Sequence, residues 1–223
     1  MRDVATLQAG TVIAMVCGLL SSVLFTRMLG LEAYGRYAVV LAFAGIFGFI
    51  TNLGQGSTAV TFLAEAHGRK DRKSLARVYH YYYAVSAVTI LILGVLWPLL
   101  PAITGWVYGN PEYGRLARIM FLASIVDPFF IGVTLGLQTA REIRSLAILE
   151  NGRITVQLGL GVALLLAGYG VEGILMGTLI GTALFAIIAL AFFYPGLRRA
   201  HGFPSMGEIA RGGRGVVYRA RQV

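Results

Sequence analysis

VATLQAGTVIAMVCGLLSSVLFT, residues 4–26, is the stretch that decides the fold class of this chain. These 23 consecutive residues carry no charged side chain, and the run is longer than the apolar region of a secretory signal peptide, about 7–15 residues. A helix needs about 20 mostly apolar residues to cross the hydrocarbon core of a bilayer. The stretch therefore predicts a retained first transmembrane helix.

The composition extends this prediction to the whole chain. Hydrophobic residues make up 57% of the 223 residues, charged residues 13%, and the mean hydropathy is +0.74, whereas a water-soluble domain has roughly 25% charged residues. The formal charge of +9 is divided among segments between apolar runs, which is typical of cytoplasmic loops and not of a nucleic-acid-binding surface. A single cysteine excludes a disulfide within the chain.

Five further apolar runs follow the first. We predict an all-α fold, a polytopic transmembrane bundle of six helices within residues 1–197, followed by a basic cytoplasmic tail over residues 198–223. The predicted spans are 4–26, 37–60, 82–103, 119–140, 154–171 and 173–197.

The distribution of lysine and arginine predicts the orientation. With the N-terminus in the cytoplasm, the inner segments, which include residues 141–153, carry 15 of the 19 basic residues and the outer segments carry four. Cytoplasmic loops are enriched in these residues. We therefore expect both termini of this chain on the cytoplasmic side of the cell membrane.

Small residues recur at every fourth position on several predicted helices, for example at Gly173, Gly177 and Gly181. This spacing lets helix backbones approach closely in a membrane. Two interpretations remain open: sliding surfaces of a moving transporter, or static packing.

The motif RMLGLEAYGRY at residues 27–37 resembles the opening signature R-x-L-G-x-x-x-Y-G-x-Y of polysaccharide flippases. These are the O-antigen and exopolysaccharide (Wzx-type) transporters of the MOP superfamily (multidrug/oligosaccharidyl-lipid/polysaccharide). NLGQG at residues 52–56, GLQTAR at 136–141 and the turn GYGVEG at 168–173 fit the same family.

The resemblance implies one six-helix lobe of a two-lobe transporter with a central cavity. It further implies outward movement of a polyprenyl-diphosphate-linked oligosaccharide by alternating access. The expected partners are this substrate, membrane lipids, and a second lobe or other membrane proteins of polysaccharide assembly, with no nucleic acid. The arginine- and glycine-rich residues 211–223 replace the seventh helix that the family pattern leads us to expect, so we interpret the tail as the product of a truncated or frame-shifted gene.

Asp127 is the one acidic residue well inside a predicted span. Ionisable side chains within a membrane are energetically costly and usually functional. Asp127 is therefore a candidate for proton or cation coupling, or for contact with sugar hydroxyls. The alternative is a helix kink at the following Pro128.

Two arginines of the 27–37 motif are candidates for binding the substrate. A guanidinium donates parallel hydrogen bonds to phosphate oxygens, so Arg27 is expected to pair with the carrier diphosphate, and Arg36 is a weaker candidate. The alternatives are an interfacial arginine that reaches the headgroups and, for Arg36, a solvated one.

The amides Asn52, Gln55 and Gln138 are candidates for sugar contacts, and hydrogen bonding between helices is the alternative. The histidines lack ligand spacing, so we predict no metal site and no cofactor. The nucleotide-binding, metalloprotease and hydrolase motifs are missing from the sequence, and we expect a protein that is not an enzyme. The competing hypotheses are a cation-coupled multidrug exporter of the same superfamily, a membrane-embedded glycan transferase, and a non-transporting membrane subunit or fragment.

Overall fold

The computed structural model describes residues 2–52 and 55–211, with side chains from Met15 onward apart from residues 17, 20 and 49–52. Within these ranges the chain is helical between short turns and contains no strand. The α-helices are α1 (Arg2–Asn52), α2 (Gln55–Gly68), α3 (Arg72–Leu96), α4 (Leu100–Tyr108), α5 (Glu112–Thr139), α6 (Ile143–Leu164), α7 (Gly170–Ile188), α8 (Tyr194–His201) and α9 (Met206–Ala210). A 3₁₀ turn, Trp97–Leu99, joins α3 to α4, and wider helical turns, Leu165–Tyr169 and Ala189–Phe193, join α6 to α7 and α7 to α8.

Helix α1 consists of two arms that meet at Gly30. The backbone there has φ 75° and ψ 169°, a conformation that is essentially restricted to glycine. The bend brings the hydroxyls of Ser22 and Tyr34 to 3.1 Å from each other. With this bend, and with α2 counted together with the second arm of α1, the described elements form six helical passes: the two arms of α1, then α3–α4, α5, α6 and α7–α8. The predicted six-helix bundle is confirmed.

Four helical stretches in the described part of the chain are long and apolar enough to cross a membrane: Ser21–Gly48, Arg72–Tyr108, Glu112–Thr139 and Ile143–His201. The first contains the bend at Gly30, and the last contains α6, α7 and α8. The chain is therefore a multi-pass helical membrane protein.

Several helices begin earlier than the hydropathy predicts. Helix α3 begins at Arg72 and not near residue 82, because the Asp71 carboxylate accepts hydrogen bonds from the backbone N–H groups of Lys73 (3.0 Å) and Ser74 (3.2 Å). Such a cap satisfies donors that the helix itself leaves unpaired. Hydropathy detects only the part of a helix inside hydrocarbon and not these capped polar turns.

Helix α6 begins at Ile143 and not at residue 154. Arg153 therefore belongs to a helix within the bundle, and its placement in an inner loop was wrong. The physical reason is that a single arginine interrupts the hydropathy signal without interrupting the helix, since arginine is a good helix former.

One end of the bundle, which we call the His201 end, holds two similar turns. Helix α2 ends at a left-handed Lys70 (φ 54°) and α5 ends at a left-handed Arg141 (φ 59°). In both turns a backbone N–H reaches back five residues, from Asp71 to Ala66 O and from Glu142 to Leu137 O. This pattern closes a helix and satisfies its last carbonyls. The opposite end, which holds the Gly30 bend, we call the Gly30 end.

Helix α5 is the central helix, because it contacts every helix from α1 to α8. Two apolar clusters pack around it. The cluster nearer the Gly30 end includes Phe121 and Leu175, and the cluster nearer the His201 end includes Phe130 and Leu149. Along α5, Asp127 lies between these two clusters.

Helices α6 and α7 form a closely packed antiparallel pair. A Cβ atom added at Gly177 would overlap the backbone of Gly161 on the facing helix. Only a hydrogen atom fits between the two backbones at this point, which agrees with static packing of these glycines.

The segment 202–210, which we call the strap, folds back against the His201 end. Phe203 and Pro204 are fully buried, and the Tyr194 hydroxyl donates a 2.6 Å hydrogen bond to Pro204 O. Residues 212–223 of the predicted basic tail lie outside the described residues.

Glu208 fastens the strap. Its carboxylate accepts from the backbone N–H of Ser205 in a capping box and pairs with Arg72 at 3.1 Å. Burial acts to raise the pKa of Glu208, but the hydrogen bonds from Ser205 and the charge and hydrogen bond of Arg72 outweigh it and hold the pKa below its usual range.

Candidate functional site: an ion pair and a polar cavity inside the bundle

The predicted site residue Asp127 forms an ion pair with Arg153. The Arg153 Nη1 donates to the Asp127 Oδ1 at 2.8 Å, from α6 to α5. The carboxylate is 34% exposed and the guanidinium 26%, so both remain partly accessible. Arg153 was missed as a site residue, because the sequence placed it in a loop. The available signal was an arginine directly before the apolar run that follows the one containing Asp127.

The ion pair with Asp127 does not use all the hydrogen-bond donors of the Arg153 guanidinium. Its guanidinium carbon lies 4.3 Å from the centroid of the Phe130 ring, a cation–π contact. The buried Arg153 Nε finds no hydrogen-bond partner among the described residues. Asp127 therefore engages one nitrogen of the fork, and the guanidinium is not saturated by protein acceptors.

A polar cavity of about 120 Å³ adjoins Asp127. It is lined by residues of α1, α2, α3 and α5, and its polar lining consists of Gln55, Tyr82, Ser86, Thr89, Ser124 and Asp127. The structure thus brings together two of the predicted site residues, Gln55 and Asp127.

The Gln55 amide is held in place by α3. Its Nε2 donates to Tyr82 O at 2.7 Å and to Ser86 Oγ at 3.1 Å. This bonding joins two helices, as the alternative interpretation of the amides expects. The side-chain oxygen of Gln55 accepts no hydrogen bond from the residues that the structure describes, although the residue lines the cavity.

Pro128 follows Asp127 within the continuous helix α5. A proline has no N–H, so the carbonyl of Ser124 loses its usual helical donor. Ser124 also lines the cavity. The kink interpretation and the cavity interpretation of Asp127 are therefore compatible, because the proline removes a helical donor in the same polar region.

The two motif arginines lie at the Gly30 end. Arg27 is exposed, just before the bend, and makes no ion pair with any residue of the described ranges. Arg36 is half-buried and lies between two carboxylates, Glu32 at 3.2 Å and Glu112 at 3.7 Å. Arg36 therefore connects the second arm of α1 to the start of α5.

The remaining two predicted site residues lie elsewhere. Gln138 is exposed in the last turn of α5, at the His201 end. Asn52 is the last residue of α1, and its side chain lies outside the described residues. Gln138 therefore does not line the polar cavity.

The histidines are closer to one another than the sequence indicates. The rings of His67 and His201 lie 6.1 Å apart, and His201 Nε2 lies 3.1 Å from a Glu142 carboxylate oxygen. Burial, followed by the charge of His201, lowers the pKa of His67 below its usual value. Among the described residues no group of three or more His, Cys, Asp or Glu is placed to hold a metal ion.

The fold, with its partly accessible ion pair in an apolar bundle, defines a multi-pass membrane protein with a polar interior. The chain belongs to the polysaccharide biosynthesis protein family, whose sequence model matches residues 1–211. No curated protein and no solved structure gives a match. The family resemblance drawn from the 27–37 motif is thus confirmed, and the family is one of transporters and not generally of catalysts.

Proposed function

We propose that this chain belongs to a transporter that moves a polyprenyl-diphosphate-linked oligosaccharide outward across the cytoplasmic membrane. The observation that carries the proposal is the Asp127–Arg153 ion pair beside a polar cavity, in a chain of the polysaccharide biosynthesis family. Ionisable side chains in hydrocarbon are costly and usually functional, so a pair that stays partly accessible beside a polar cavity supports a role in transport.

The proposed roles follow from chemistry. Arg27, exposed and unpaired among the described residues, offers its planar fork to the diphosphate. The side-chain oxygen of Gln55, a residue that lines the polar cavity, offers an acceptor to sugar hydroxyls. Asp127 neutralises Arg153 while no substrate is bound, and a change of partner by Arg153 couples substrate binding to separation of α5 from α6. Gln138, at the His201 end, and Asn52 remain proposed sugar contacts, and Arg36 would hold the Gly30 end together.

The proposed orientation places the Gly30 end outside and the His201 end in the cytoplasm, with both termini inside. Moving Arg153 from the inner set into the bundle leaves 14 inner basic residues, one fewer than the 15 first assigned, against four outer ones. The bias still favours this orientation. On the basis of the family resemblance we also propose the partners: membrane lipids, and a second lobe or other membrane proteins of polysaccharide assembly.

Complementation tests this function. A strain lacking its O-antigen flippase would receive this chain, alone and with a second lobe, and surface glycan would be measured. We expect export with the wild-type chain in at least one arm and at least a tenfold loss with Arg27→Ala. The matched control is Arg69→Ala, since Arg69 is exposed and pairs with Glu65 at the opposite end. Export unchanged by Arg27→Ala would remove the role of Arg27, and no export in either arm would contradict the proposed substrate.

A cation-coupled multidrug exporter is the second candidate. Asp127 favours it, because a carboxylate beside hydroxyl and carbonyl oxygens can bind a proton or a cation. This candidate predicts drug resistance on expression without any change in surface glycan, so the same strains measured on drug gradients discriminate the two functions.

A further inference from the structure

Four exposed arginines lie close together at one corner of the His201 end. The contact between His201 Nε2 and a Glu142 carboxylate oxygen, 3.1 Å long, joins the last residue of α8 to the residue before α6. The arginines lie within three residues of this contact in the sequence: Arg141, Arg144, Arg198 and Arg199. We call these four residues the basic corner.

The charge of the basic corner is not compensated by the described part of the protein. None of its arginines forms an ion pair with a described residue. Within residues 141–145 and 198–201 the single carboxylate is Glu142, and it is already engaged by His201 and by the Ser145 hydroxyl at 3.5 Å. In contrast, the two arginines nearest the α2–α3 turn have carboxylate partners. The basic corner therefore offers guanidinium groups to an anion from outside the chain.

Arg141 adopts a backbone conformation that is unfavourable for arginine. Its φ is 59°, at the position that closes α5, where glycine is the usual residue because it has no Cβ atom. Arginine makes this turn less stable than glycine would, and strained residues of this kind cluster at ligand sites. The turn alone does not account for Arg141, whereas a ligand for its guanidinium does.

The basic corner lies at the depth of lipid headgroups. Ile148 on α6 and Phe192 before α8 are large apolar side chains, 65% and 73% exposed, as side chains surrounded by hydrocarbon are. With a rise of about 1.5 Å per residue, Arg144 lies about 6 Å nearer the His201 end than Ile148 and on the same face of α6. Arg198 lies about 9 Å beyond Phe192 on the same scale. The polar layer on each side of the hydrocarbon is about 5–7 Å thick, so both guanidinium groups reach it.

We propose that the basic corner binds the headgroup of an anionic phospholipid with two phosphates, of the cardiolipin type, in the cytoplasmic leaflet. A guanidinium donates parallel hydrogen bonds to phosphate oxygens, and two arginines lie on each side of the Glu142–His201 contact, one pair for each phosphate. Basic sites at the cytoplasmic ends of membrane helices suit such headgroups. The leaflet follows from the proposed orientation, whereas the site itself does not depend on the transported substrate.

Native mass spectrometry of the full chain in detergent tests the site. Affinities are measured for cardiolipin, for phosphatidylglycerol at the same phosphate concentration, and for phosphatidylcholine. We expect cardiolipin to bind at least tenfold more tightly than phosphatidylglycerol, because its two phosphates are tethered. Arg144→Gln/Arg199→Gln should lower the cardiolipin affinity at least tenfold. The matched control is Lys70→Gln/Arg77→Gln, which removes the same charge from exposed residues at the same end and should change the affinity less than twofold.

Arg141→Gly separates the charge from the backbone, and it serves as the second variant should the double variant fail to purify. Glycine relaxes the left-handed turn, so the melting temperature in lipid-free detergent should not fall. The cardiolipin affinity should fall about fivefold, since one basic contact is lost. A lower melting temperature without lipid would show that the fold itself needs Arg141 and would contradict its assignment to a lipid site.

Three other results would overturn the proposal. The first is equal affinity for phosphatidylglycerol at equal phosphate, and the second is an equal loss of affinity in the control variant. The third is tighter binding of a polyprenyl diphosphate than of cardiolipin at the basic corner, which would assign these arginines to the carrier. Complementation is a separate measurement: cardiolipin binding by a chain that exports no glycan would contradict the proposed function and support this site.

Discussion

Asp127 and Arg153 are 26 residues apart in the sequence and 2.8 Å apart across two helices. The pair connects the central helix α5 to the α6–α7 hairpin at the level between the two apolar clusters. Its charges are compensated by each other and not by water alone. This position makes the pair a structural link as well as a candidate functional one, and the two contributions can be separated experimentally.

Replacing Arg153 with methionine would leave the Asp127 carboxylate without its partner. Loss of one member of a fully buried pair costs about 3–5 kcal/mol, and the partial exposure of both side chains reduces our expectation to about 1–3 kcal/mol. The double variant Asp127→Leu/Arg153→Met should recover the stability, since apolar replacement of a pair is often neutral. Thermal unfolding in detergent measures both.

Transport should respond differently from stability. We expect the double variant Asp127→Leu/Arg153→Met to be stable but to export no glycan, because the charges are then gone. A double variant that both unfolds normally and exports normally would show that the pair has no role in transport.

Gly30 should not tolerate a side chain. With φ 75° and ψ 169°, alanine at this position would store about 1–3 kcal/mol of backbone strain. We expect Gly30→Ala to lower the melting temperature in detergent. Gly35→Ala is the control, since Gly35 has ordinary helical geometry and open space around it; equal melting temperatures for the two variants would argue against the bend.

Glu208→Ala should release the strap without unfolding the bundle. The variant loses the capping-box partner, worth about 1 kcal/mol, and the pair with Arg72, worth up to about 1 kcal/mol at a partly exposed site. We expect amide exchange at Ile209 and Ala210 to become about tenfold faster. Glu65→Ala removes a surface pair with Arg69 and should leave exchange in the strap unchanged.

His67 should contribute a pH dependence to the stability. Burial and the neighbouring His201 lower its pKa in the folded protein, so below about pH 6.5 the unfolded chain binds the proton more readily. Stability from this group is complete at neutral pH and is lost as the pH falls. The melting temperature should drop between about pH 7.5 and 5.5, and by less in His67→Gln, which keeps the His201–Glu142 pair. Identical slopes for both proteins would contradict this assignment.

The fold class could be predicted because a long apolar run identifies a helix surrounded by lipid. The runs 4–26 and 173–197 can be recognised in this way without any knowledge of how the helices pack. Helix starts such as Arg72 and Ile143 could not, because they depend on the Asp71 cap and on continuity through a charged residue. Asp127 was found as an isolated charge in an apolar run. Its partner was not, because pairing depends on which face of α6 meets α5.

The sequence could show which glutamine residues were candidates for binding sugar, but not which of them line the cavity. Gln55 could be chosen by its residue type and its position at a loosened helix end, and the structure places it beside Asp127. Gln138 had the same residue type and a similar position, yet it lies exposed at the His201 end. Sequence patterns select candidates by chemistry, whereas the packing of α2, α3 and α5 decides which of them share a compartment.

The contact of Gly177 with the Gly161 backbone has a mechanical consequence. Two backbones this close cannot slide or roll past each other, so α6 and α7 have to travel as one stiff lever. Arg153 belongs to this helix pair. Any rearrangement that separates Arg153 from Asp127 must therefore separate α6 and α7 together from α5, without a change in the contact between α6 and α7.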